Sequence, residues 1–193
     1  QSRDTCTCDD PIESVLCRIK RQALAVKVSP QDGEAYLYLG TALMDYAGIL
    51  ATFKGKGDEK DDAEESLDLS IRLLQHACQL IPCDSRAYNN LALALSKKKK
   101  SRTSPTAVID TYREGLRLLE QSSATGCDVQ DDLDAIRLNY GLFLSYQDSF
   151  ADAAHVLEPV ARKRADGTPN GRVVEDAYRL WKFCHLNKQE TPS

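Results

Sequence analysis

Three thiols crowd the start of the chain: Cys6, Cys8 and Cys17. Thiols so placed could ligate a metal or form a disulfide. A closed zinc site takes four ligands, usually in two close pairs, and no nearby histidine completes this set. The three residues are compatible with a disulfide or with unbonded thiols, and no metal is expected. Cys78 falls on an apolar stripe and reads as a small hydrophobe. Cys83 lies five residues on, and a bridge between these two would need distortion. Cys184 precedes His185, but adjacent residues on a helix point apart, so they form no nucleophile–base pair. The three histidines, His76, His155 and His185, have no acid or serine at useful spacing. No phosphate loop, metal motif or nucleophile elbow occurs. The residues therefore predict no catalytic group, no cofactor and no enzyme.

Charge offers a second kind of chemistry. Lys97, Lys98, Lys99, Lys100 and Arg102 make a basic loop, with no aromatic residue interleaved. It is expected to be a solvated loop rather than a nucleic-acid contact. Asp58, Glu59, Asp61, Asp62, Glu64 and Glu65 form an acidic counterpart at a helix start, where carboxylates are favourable. The net charge is only −4, so neither nucleic acid nor an anionic membrane is the expected partner.

The elements that carry these residues are helical. Leu and Ala supply 44 of the 193 residues, against 16 Val and Ile. That balance favours helix over strand. Hydrophobic residues make up 42%, enough for a folded domain, and no apolar run reaches membrane-spanning length. Breaks at Ser29–Gly33, Lys54–Asp58, Pro82–Asp84 and similar sites divide the chain into eight helices. These are expected over 11–28, 34–53, 61–80, 85–96, 105–121, 129–146, 150–164 and 172–187. A Cys-containing segment (1–10) precedes the helical domain (11–187), and a polar tail (188–193) follows it. Pro159 falls inside the seventh helix and is expected to bend it.

Three segments repeat. Tyr36-Leu37-Tyr38-Leu39-Gly40-Thr41-Ala42-Leu43 matches Tyr88 to Leu95, and both match Arg137 to Leu144. Pro30 precedes Gly40 by ten residues, as Pro82 precedes Ala92. Arg18, Ala25 and Pro30 share their spacing with Ser70, Ala77 and Pro82. This pattern resembles the tetratricopeptide (TPR) repeat, with an aromatic, a small residue after Leu, and a second helix of small residues. The third unit keeps the spacing, twelve residues from Gly141 to Ala153; the first carries 18 more between Gly40 and Ser70.

The resemblance implies an all-α solenoid of stacked antiparallel helix pairs, with a leading helix (11–28), repeats at 33–82, 85–121 and 130–165, and a capping helix (172–187). It also implies a groove lined by the first helix of each pair. Helical spacing places Glu34, Leu37, Thr41 and Met44 there, with Arg86, Asn89 and Leu93, then Leu138, Leu142 and Ser145, extended by Arg179 and Phe183. The apolar members read either as a protein contact or as packing. Chaperone-binding members of the family hold a carboxylate with Lys and Asn. Here only Asn90 fits that clamp, while Leu37, Thr41, Ala135 and Asn139 depart from it, so chaperone-tail binding is not expected.

The expected function is a non-catalytic module that binds a peptide or protein segment in the groove and along its inserts. Two alternatives remain: a permanent subunit of a large assembly, and the regulatory region of a longer enzyme. The Gln1 start and early cysteines lean toward an organelle or secretory compartment after removal of a targeting segment.

Overall fold

The computed structural model of the chain describes residues 10–52, 58–98, 105–124, 129–165 and 171–187. The described residues are all-α and form eight helices. Several begin for a local reason. Asp10 caps α1 (Pro11–Val28) by accepting from the Ile12 amide at 2.8 Å, with Pro11 at the first helical position. Asp32 accepts from the Glu34 and Ala35 amides and caps α2 (Gly33–Thr52). α3 covers Asp58–Leu80. Asp84 caps α4 (Ser85–Lys97) through the Arg86 amide at 2.9 Å. α5 (Pro105–Ala124) also opens on a proline. α6 (Gln130–Ser145), α7 (Phe150–Ala165) and α8 (Arg172–Asn187) complete the set. α7 runs as one helix through Pro159. The basic residues Lys99, Lys100 and Arg102, with Cys6 and Cys8, lie outside the described residues.

The chain divides into two compact units, one ending at Thr111 and the other starting at Tyr112. In the first, α2 and α3 are antiparallel. A Cβ on Gly33 would stand 2.7 Å from Ile81 Cγ2, and one on Gly40 would stand 2.7 Å from Leu74 Cγ. The bare backbone at Gly40 is what lets the helices approach so closely. Ser70 Oγ, fully buried, donates to the Gly40 carbonyl at 2.7 Å and fixes their register. α4 packs against both. It runs beside α2 in the same direction, as Glu34–Arg86 and Thr41–Asn90 contacts show. The core joins Leu37, Met44 and Ala47 to Leu67, Ile71 and Leu74 and to Ala87, Leu91 and Ala94. α1 leans on α2 alone among the described helices, with Arg18 paired to Asp45 at 2.5 Å.

The second unit repeats this plan. α6 packs on α7, α7 on α8, and α8 returns to α6. A Cβ on Gly141 would stand 2.6 Å from Leu157 Cγ, the counterpart of the Gly40–Leu74 approach. Leu157, Val160, Val174 and Ala177 form its core, with Leu138, Leu180 and Trp181 packed against it. Tyr112 of α5 stacks on Tyr140 of α6 at 5.1 Å. Lys163 pairs with Asp134, which is buried and also accepts from Gln130 Nε2 at 3.1 Å. Arg164 lies 4.1 Å from the Tyr178 ring centroid and pairs with Glu175 at 2.9 Å, tying α7 to α8.

Equivalent positions behave alike. Ala87 and Ala94 of α4, both fully buried, correspond to fully buried Ala177 and Cys184 of α8. Leu93 and Phe183 share one position, and both are exposed. At another, α4 buries Ala92 where α8 exposes Lys182.

Candidate binding surface

The α2 stripe expected to line an open groove divides in two. Leu37 and Met44 are 1% and 3% exposed and belong to the core. α2 is covered by α1, α3 and α4, so only a narrow strip reaches solvent. That strip is Glu34, Tyr38, Thr41 and Asp45, turned by one position from the expected one. On α4, Arg86 and Leu93 are exposed, while Asn89 is half-buried. Asn90, rather than Asn89, reaches α2: its Nδ2 donates to Thr41 Oγ1 at 2.9 Å. Asn89 Oδ1 is buried and meets no donor among the described residues.

Arg86 braces this face. Its guanidinium donates to both oxygens of Asp84, from Nε at 2.9 and 3.1 Å and from Nη2 at 2.6 Å, and to Glu34 Oε1 at 2.8 Å. Nη1 donates to Tyr38 Oη at 3.2 Å, and the ring centroid lies 5.9 Å away. The two carboxylates push its pKa further above the ordinary arginine value. A guanidinium so occupied does not serve as a free anion clamp. Tyr38 lies open beside it and Leu93 lies open two turns further along α4, each 43% exposed.

In the second unit, Leu138 is half-buried and packs on the Leu157–Val174 core, so it too leaves the groove. Leu142 and Ser145 are half-buried, and Ser145 Oγ donates to its own helix at Leu142 O. Arg179 is exposed and pairs with Glu175 at 3.2 Å. Phe183 is exposed and meets Phe150 edge-to-face at 5.8 Å. These residues share α6 and α8, whereas Glu34, Thr41, Arg86 and Leu93 share α2 and α4. Tyr38 and Asn90 are the members that helical spacing missed. Tyr38 carried one signal, an aromatic flanked by the leucines Leu37 and Leu39 that the core takes.

Cys184 is buried and Cys78 half-buried, whereas Cys83, His155 and His185 are exposed. Burial pushes the Cys78 thiol up to about 12 and raises that of Cys184. His76 stands against Tyr36, ring to ring at 4.5 Å, and His185 against Trp181 at 5.1 Å. Cys17 is disulfide-bonded. Lys98 of the basic stretch pairs with Asp68 of α3 at 2.6 Å. Among the described residues, no group of three or more His, Cys, Asp or Glu could hold a metal ion. No described helix is long and apolar enough to cross a membrane. No protein-family model matches the chain, and no curated protein matches it.

Proposed function

We propose that the chain is a TPR-like, non-catalytic interaction module that holds a segment of a partner protein on the strip between α2 and α4. The observation that carries this reading is that Tyr38 of α2 and Leu93 of α4 are both open to water, on helices joined by a polar frame of Arg86, Glu34, Asp84 and the Asn90–Thr41 bond. Apolar side chains on a pre-braced surface bind at low ordering cost. The duplicated helix plan and the Gly40–Leu74 and Gly141–Leu157 approaches support the family reading. The disulfide at Cys17 supports work in an oxidising compartment.

The test is cross-linking and mass spectrometry of the native protein, repeated with Leu93→Glu and with Tyr38→Glu. Both side chains are open enough for the fold to survive, which circular dichroism checks. The expected result is loss of a partner from both variants with the helical signal intact. Retention of every partner by the folded variants would overturn the reading. Elution of the native chain at fixed stoichiometry within a large complex would assign it as a permanent subunit instead.

A further inference from the structure

We propose a second interaction surface, the outer face of α1, whose partner is an acidic amphipathic helix of another protein. α1 turns Val15 inward to the core and Arg18 toward Asp45 of α2. Lys20, Arg21, Leu24, Lys27 and Val28 fall together on the opposite side, within about 60° of Leu24 at 100° per residue. All five are exposed. Leu24 and Val28 are 61% and 73% exposed, and stand one turn apart.

Charge complementarity selects the partner. From Lys20 to Val28 the helix carries three cations and no acid, in a protein whose net charge is −4. Within the described residues none of the three cations pairs with a carboxylate, whereas Arg18 on the inner side does. The nearest acid beyond the helix, Asp32, is engaged in capping α2. An apolar pair spaced by one turn and flanked by unpaired cations matches a helix with leucines at i and i+4 between glutamates. A lipid surface fits less well. Interfacial helices bury a broad apolar face, rich in Trp, Phe or Leu, and here the inward side is committed to α2. Nucleic acid would leave the central Leu24 and Val28 without a partner, because its affinity comes from phosphates.

The experiment uses the full chain and a fluorescent designed helix with two leucines at i and i+4 among glutamates. Its control replaces those leucines with serine. The leucine peptide is expected to bind at least about tenfold more tightly than the control. Binding should weaken as NaCl rises from about 0.1 M to about 1 M, where the Debye length falls from ~10 Å to ~3 Å. Leu24→Ser with Val28→Ser should abolish the leucine preference, and Lys20→Glu with Lys27→Glu should abolish binding. Leu93→Glu should leave both intact, which separates this surface from the α2/α4 strip. Equal affinity for the two peptides, or no binding, overturns the proposal. So does attachment to phosphatidylserine vesicles through the same residues in the absence of peptide binding.

Discussion

Asp148 is the one described residue other than glycine with a positive φ, at 57°. It ends α6: its amide donates to Ser145 O at 3.2 Å, and the Ser149 amide donates to Leu144 O at 3.0 Å. That pair of bonds is a Schellman turn, whose left-handed position favours glycine. Aspartate bears the strain better than most residues but does not remove it. Asp148→Gly is therefore expected to stabilise the fold by about 0.5–1 kcal/mol, less whatever extra freedom glycine gives the unfolded chain. A rise in thermal midpoint checks it. Cys78 sets a second expectation. Its thiol titrates near 12 in the fold against an ordinary 9.0, because burial disfavours the thiolate. The folded state holds that proton more tightly. Its contribution is complete below pH 9 and is lost as pH climbs from 9 toward 12. Tyr112, raised by burial from 10.0 to about 12, acts in the same direction. Melting temperature should fall over this range, and Cys78→Ala should flatten the early part of the fall.

Close packing at the level of the helix pair depends on glycine. Gly141 faces Leu157 at a distance where a methyl group cannot fit, and the leucine side chain is fully buried. Alanine is the better helix former by about 1 kcal/mol, but overpacking of this kind costs about 1–3 kcal/mol. Gly141→Ala should therefore lower stability by about 1–2 kcal/mol net, read from denaturant midpoints. Gly40→Ala, set against Leu74 and the Ser70 carbonyl, should do the same. These glycines were legible in the sequence because the segments around them repeat, and so were the helix boundaries, marked by Asp caps and prolines. The strip on α2 was less legible. A stripe through Glu34, Leu37, Thr41 and Met44 and one through Glu34, Tyr38, Thr41 and Asp45 both suit a helix. The choice is made by α3 and α4, whose Leu67, Ile71, Leu74, Ala87, Leu91 and Ala94 enclose Leu37 and Met44. A single helix's spacing does not contain that information. The disulfide state of Cys17 was equally open in the sequence, since spacing alone leaves unbonded thiols as an option.

Across the whole molecule, one helix-packing plan is used twice, and the surface is where the two uses differ. At the position shared by Leu93 and Phe183, both units offer an apolar group. The neighbours of that position have diverged. Arg86 is locked between two carboxylates, whereas the equivalent position on α8 holds Asp176, which faces Arg172 at 3.6 Å. The repeated interior and the altered rim fit a protein whose scaffold is constrained by packing and whose recognition is free to vary. Among the described residues, packed helices are neighbours or next neighbours in the chain, and the longest-range hydrogen bond, Arg86 to Glu34, spans 52 residues. A ribosome that has released α4 has therefore already supplied every partner that α2 and α3 use in that core. The first three-helix group can close while the rest of the chain is still being made, with little apolar surface left waiting for late segments.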